Sequence, residues 1–192
     1  MIDAEPRADG VARILIGEAA IRERTAEMAK VLDDEYGDDL PLLVGVLNGA
    51  IAFITDLMRA MTIPLEIDFM AVSSYGAATE SSGVVRILKD LDQEIENRRV
   101  VVVEDIVDSG LTLQYLLDVL QRRNPRDLRV VALLKKEKPD AIDVPVDQIG
   151  FTIPDEFVIG YGLDYAGKYR NLPYVAVLDP RIYAGELGRQ SR

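Results

Sequence analysis

Four consecutive valines, Val100–Val103, constrain this chain more than any other stretch. Branching at the β-carbon favours extended backbone. A strand with one wet face alternates apolar and polar residues, so an unbroken apolar run needs cover on both faces. Helices crossing over a mostly parallel sheet supply that cover. The residues after the valines are equally particular: Glu104-Asp105-Ile106-Val107-Asp108-Ser109-Gly110, then a helix over Thr112–Arg123 with Leu113, Leu116, Leu117 and Leu120 on one face.

Other segments repeat the alternation of strand and helix. Glu18–Tyr36 carries Ile21, Thr25, Met28 and Leu32 at helical spacing, with Gly37 placed to end it. Leu42–Leu47 is a buried strand, Asn48-Gly49 a tight turn, and Ile51–Met61 a helix through Ile54, Leu57, Met58 and Met61. Ile63–Ala71 alternates, which predicts a half-exposed strand with Ile67 and Phe69 inward and Glu66 and Asp68 outward. Ser73–Gly83 is small, polar and aperiodic, as in a binding loop or lid. Val84–Leu88, Leu128–Leu134 and Tyr174–Leu178 read as strands, with Lys89–Arg98 an acidic connection. The result is an α/β domain with a mostly parallel sheet, whose ligands bind at the carboxyl ends of the strands.

Composition narrows the chemistry. The 192 residues suit a single domain and include neither cysteine nor histidine. A general base must then be a carboxylate, lysine, tyrosine or terminus, and a metal site must be built from oxygen. A formal charge of -11 disfavours nucleic acid as a partner. Leu42–Met61, the longest apolar-rich stretch, is broken by Asn48, Thr55, Asp56 and Arg59, which disfavours a membrane span. Met1–Gly10 has no apolar core of a secretion signal, so a soluble, cytoplasmic protein is expected.

The strand–acid–turn–helix unit of residues 100–113 carries the chemistry. Gly110 allows backbone N–H groups to approach a ligand, Ser109 and Thr112 add hydroxyls, and the helix N-terminus contributes about half a positive charge. Together they suit a phosphate, although the GxxxxGK[ST] loop is absent. Glu104 and Asp105 would repel a phosphate directly, so they suit ribose hydroxyls, magnesium, or both. A sugar phosphate fits the combination. The plainer alternative makes Asp108 a helix cap and the acid pair solvated strand-end residues.

Residues 104–112, Glu-Asp-Ile-Val-Asp-Ser-Gly-Leu-Thr, resemble the phosphoribosyl-diphosphate (PRPP) motif of type I phosphoribosyltransferases, especially the hypoxanthine-guanine branch. Leu47-Asn48-Gly49-Ala50 resembles that family's pyrophosphate loop and Ser74-Tyr75 the start of its lid; Lys136 falls where the family has a purine-contacting lysine. Pro154–Arg170 (PDEFVIGYGLDYAGKYR) is similar to the purine and pyrophosphate segment that separates this branch from adenine, uracil and orotate relatives. The resemblance implies a Rossmann-like phosphoribosyltransferase fold in one domain, 1–192, with a core over about 38–148 and a small hood from 1–16 and 149–192.

It also implies an activity: transfer of 5-phosphoribosyl from PRPP to N9 of hypoxanthine or guanine, giving IMP or GMP and pyrophosphate. Glu104 and Asp105 would hold the ribose hydroxyls and Mg2+, and Asp164 a second Mg2+. Asp108, Ser109, Gly110, Leu111 and Thr112 would bind the 5-phosphate, with Asn48, Gly49 and Arg170 on the pyrophosphate. Asp108 would also serve proton transfer at N7, and Lys136 would donate to O6. Phe157 would stack on the base, Val158 would meet its edge through the backbone, and Ile106, Leu163 and Asp164 would complete the base site. Where relatives often carry a lysine, this chain has Asn48, and the family's loop usually has a non-proline cis peptide there; the letters leave cis and trans open. A homodimer or homotetramer is the family habit. Xanthine preference and a non-catalytic PRPP- or nucleotide-binding regulator of the same fold are the alternatives.

Overall fold

The computed structural model describes residues 8–74 and 85–182. Its elements in chain order are β1 (Val11–Ile16), α1 (Glu18–Tyr36), β2 (Leu42–Leu47), α2 (Ile51–Ala60), β3 (Glu66–Ser74) and β4 (Val85–Lys89). There follow β5 (Arg99–Val107), α3 (Leu111–Gln121), β6 (Asp127–Lys136), β7 (Gln148–Ile153), β8 (Val158–Ile159) and β9 (Val175–Leu178).

Six strands form one sheet in the order β4-β3-β2-β5-β6-β7, and β1-β9-β8 form a second, three-stranded sheet. In the large sheet β4 is antiparallel to β3 and the other pairings are parallel. The valines of β5 explain the layering. Val101 and Val103 pack with Ile21, Met28 and Leu32 of α1 and Phe53, Ile54 and Leu57 of α2. Val100 and Val102 pack on the opposite face with Leu113, Leu116 and Leu120 of α3. All four valines are fully buried, as an unbroken apolar run requires.

Helix α1 has the expected bounds: Gly37 takes a positive φ of 54° and its N–H donates to the Asp33 carbonyl. Most of the apolar stripe of α2 is core; Ile51, at its first turn, stays exposed.

Strand β3 departs from its predicted facing. Asp68 is 5% exposed, whereas Ile67 is 39% exposed. The connection after β4 covers the Asp68 face, and three backbone N–H groups end on this carboxylate: Phe69 at 2.7 Å, Asp92 at 2.8 Å and Gln93 at 3.2 Å. An acid can be buried on these terms because its lone pairs are occupied.

Strand β7 forms the edge of the large sheet, which therefore extends to Ile153, beyond the expected core limit near 148. The small sheet brings β1 beside β9, with Tyr174, Ile159, Ala176 and Leu178 as its buried cluster. Of the expected hood, residues 1–7 and 183–192 lie outside the described residues. Ser74 ends β3; Tyr75 and the rest of the expected lid through 83 also lie outside them. No helix among the described residues is long and apolar enough to cross a membrane.

Candidate active site

Chain order reverses in the large sheet between β2, whose next strand β3 lies on one side, and β5, which lies on the other. Such a switch opens a crevice beyond the carboxyl ends of the two strands. A cavity of about 450 Å³ occupies that crevice. Asn48 and Gly49 line it from the end of β2, Glu104 through Gly110 and Thr112 from the end of β5, and Leu163, Asp164 and Arg170 from beyond β8.

The Leu47–Asn48 peptide is cis. Two close approaches at glycines fix the arrangement around the cavity. A β-carbon on Gly49 would stand 1.6 Å from Asp105 Oδ2, and one on Gly162 would stand 2.0 Å from the Gly49 carbonyl oxygen. The turn between β2 and α2 is thus pressed between an acid of β5 and the segment after β8. Tyr161, beside Gly162, donates from its hydroxyl to Asp56 Oδ2 of α2 at 2.7 Å. Burial, and then Asp56, hold that hydroxyl protonated well above its ordinary range.

Glu104 and Asp105 still belong to the strand, which runs through Val107. Burial pushes the Glu104 carboxyl up, and neighbouring Asp105 adds to this. Asp105 is also raised by burial, with the Ile106 N–H and Arg170 pulling the other way and Asp164 adding to the rise. Two adjacent acids held above their usual range, Glu104 of them buried, would be relieved by hydroxyl donors or a cation.

Beyond them the chain turns. Gly110 has φ 81°, and a β-carbon there would meet the Ile142 carbonyl at 2.7 Å, so both conformation and space favour glycine. The Ser109 carbonyl accepts from the Ile142 N–H at 2.9 Å. The first turn of α3 contains no acidic residue, and no side chain caps it. Its N–H groups, with those of the turn and the Thr112 hydroxyl, suit an anion.

Asp108 marks the other side of the cavity. Lys136 Nζ lies 3.3 Å from Asp108 Oδ2 and 3.3 Å from Asp155 Oδ1. Lys138 Nζ lies 2.5 Å from Asp108 Oδ1 and 3.4 Å from Asp155 Oδ1. The Lys136 side chain is 11% exposed, so it is not the solvated lysine that its basic run suggests. Burial pushes the Asp155 carboxyl up, but the two lysines outweigh this and hold it below its ordinary value.

Phe157 is 42% exposed and packs edge-to-face on Tyr165, ring centres 5.5 Å apart. An exposed aromatic face beside a polar corner suits a flat ligand better than a core role does. Val158 is buried in β8. Arg170 lies 2.6 Å from Asp164 Oδ1 and donates to the Gly162 carbonyl at 2.5 Å; the Gly167 N–H donates to Asp164 Oδ2 at 2.7 Å.

Of the predicted residues, Asn48, Gly49, Glu104, Asp105, Ile106, Asp108, Ser109, Gly110, Thr112, Leu163, Asp164 and Arg170 meet around one cavity. Lys136 reaches this group through Asp108, while Leu111, Phe157 and Val158 stand outside the lining. Lys138, Asp155 and the Tyr161–Asp56 pair were not predicted. For Lys138 a signal existed, since positions two apart along an extended chain share a face.

The donor set fits magnesium. All of its ligands are carboxylate oxygens, and magnesium takes one or two of these with water and phosphate making up the rest. Among the described residues no group of three or more acids is gathered as a ready metal cage.

Comparison with known proteins places these features in a family. Residues 10–166 match the phosphoribosyl transferase domain. The hypoxanthine-guanine phosphoribosyltransferase of Mycobacterium tuberculosis is 52% identical over 179 residues, covering 88% of this chain and 87% of that protein. Its counterpart in Bacillus subtilis is 47% identical over 173 residues, covering 90% and 96%. A solved structure of the Trypanosoma cruzi hypoxanthine phosphoribosyltransferase, in complex with the product IMP, superposes with a TM-score of 0.85 at 39% identity, covering 93% of this chain and all of that one.

Proposed function

The chain belongs to the phosphoribosyl transferase family, and we propose that it is a purine salvage enzyme forming IMP and GMP from PRPP and hypoxanthine or guanine. The observation that carries this reading is the meeting, around one cavity, of the acid pair Glu104–Asp105, the anion-binding turn 108–112 and the lysine-paired Asp108.

Each part has a task. The N–H groups and hydroxyls of residues 108–112 hold the 5-phosphate. Glu104 and Asp105 accept hydrogen bonds from the ribose hydroxyls. Asn48 and Gly49 present the turn on which pyrophosphate rests, and Arg170 clamps it with forked donors once its bond to Asp164 opens. The base lies against Phe157, its edge meets the backbone at Val158, and Ile106 and Leu163 give it apolar contact. Lys136 donates to O6, an acceptor that adenine lacks; a site built for that hydrogen bond rejects the analogue without it.

In the transfer the bond from the anomeric carbon to pyrophosphate breaks, and its electron pair leaves with pyrophosphate. The N9 lone pair forms the new bond on the opposite face, with inversion. Asp108 takes the proton that the base releases at N7. Glu104 and Asp105 would hold one Mg2+ and Asp164 a second, each with phosphate and water, and ions bound there would supply positive charge to the leaving pyrophosphate. This offsets the formal charge of -11, which by itself opposes a polyanionic substrate.

We assign the enzyme to the cytoplasm, where phosphorylated sugars are made and used, and to a homodimer or homotetramer, which light scattering checks. The test of function is nucleotide formation from PRPP with hypoxanthine, guanine, xanthine and adenine, with and without a chelator. Hypoxanthine and guanine should react, adenine should not, and added Mg2+ should restore chelated enzyme. Turnover of xanthine alone would favour the alternative specificity, and no turnover would favour a binding protein.

A further inference from the structure

Lys138 has no part in the transfer as proposed, yet it stands in the base corner. Strand β6 ends at Lys136, and the Glu137 N–H still donates to the Ile153 carbonyl at 2.9 Å, so the backbone stays extended past the strand end. Residues 136 and 138 therefore project to the same side. Both ammonium groups reach the same two acids, Asp108 and Asp155. The four side chains close a ring in which each carboxylate faces two lysines. Hydrogen bonding to Asp108 raises Lys138 above its usual range despite some loss from burial, so it stays charged.

The ring sets a condition on base binding. If Lys136 turns toward the purine oxygen, the two carboxylates lose a cation beside an anionic substrate. The two acid side chains are 46% and 49% exposed, so solvent screens part of that loss, and the rest falls on two neighbouring carboxylates that face an anionic substrate. Lys138 already contacts both acids, so they keep a cation when Lys136 moves. It also links Asp155, two residues before Phe157, to Asp108 across the base site.

We propose that Lys138 is a positioning residue for base recognition, holding Asp108 and Asp155 in place while Lys136 turns to the purine oxygen. The inference rests on the proposed contact between Lys136 and the base.

Steady-state kinetics of Lys136→Met, Lys138→Met, the double variant and Lys138→Arg test it, with a thermal melt of each. Lys138→Met should raise KM for hypoxanthine and guanine roughly tenfold, with KM for PRPP and the melting temperature little changed. Lys138→Arg should recover most of the loss, because it keeps the charge. In the double variant the loss should be smaller than the product of the single losses, since Lys138 acts through Lys136. If Lys136→Met raises KM for the base and Lys138→Met does not, this inference fails while the Lys136 assignment stands. If the two losses multiply, Lys138 acts independently and the positioning role is wrong. If Lys136→Met leaves KM for the base unchanged, both readings fall together.

Discussion

Gly49 and Asp105 are in closer contact than any other residue at position 49 would permit: a β-carbon there would lie 1.6 Å from the Asp105 carboxylate. One residue belongs to the turn after β2 and the other to β5, and the subsites proposed for pyrophosphate and ribose meet where they touch. The contact ties the placement of an acid to the absence of a side chain.

Gly49→Ala should therefore displace Asp105 without unfolding the domain, because the clashing atoms belong to a side chain. The expected result is a fall in kcat/KM for PRPP of about 100-fold, in line with the sensitivity of reacting groups to a displacement of about 1 Å. Steady-state kinetics check this, and a near-native circular dichroism melt should accompany the loss.

Tyr161 should control the same turn from the far side. Its hydroxyl bond to Asp56 holds the residue next to Gly162, which rests on the Gly49 carbonyl. Tyr161→Phe leaves Asp56 without this donor, at a cost of about 1 kcal/mol in stability. KM for PRPP should rise while KM for hypoxanthine stays near its original value. A thermal melt and the two KM values test the account.

Asp68 should make stability depend on acid. Burial pushes its carboxyl up, but the N–H groups of Phe69, Asp92 and Gln93, with Lys89, outweigh this and hold it below the ordinary value. A group with a lowered folded-state pKa stabilises the fold above its unfolded pKa and loses that contribution as pH falls through the folded value. The loss should begin near pH ~4, the unfolded carboxyl value, and continue below it. Asp68→Asn should be less stable at neutral pH and should flatten the acid side of a denaturation profile measured against pH.

The same residue shows where sequence patterning stops. Alternation in Ile63–Ala71 predicts Asp68 outward, yet the Lys89–Arg98 connection folds over that face, and tertiary cover is not written in a local period. The valine run was readable because it is apolar at every position, and α1 because its stripe and Gly37 agree. Strand β7 was not readable: Gly150 interrupts it, for reasons of close approach to the Leu133 carbonyl. At the site, the 104–112 unit carries its own logic along a few contiguous residues. For Asp164, Arg170 and Phe157 only family resemblance points to the site, since their meeting with that unit depends on the long return of the chain through residues 154–170. Lys138 stood in plain view within a basic run, but only a fold places Asp108 and Asp155 opposite it.

Asp108→Asn offers the most direct test of the central claim, because asparagine keeps the shape of the side chain and removes the proton acceptor. Nucleotide formation should be followed at saturating PRPP and hypoxanthine, with PRPP binding measured separately by calorimetry. The account predicts a loss in kcat of about 100-fold to 10,000-fold with PRPP binding largely retained. An Asp108→Asn enzyme that turns over at the wild-type rate would contradict it.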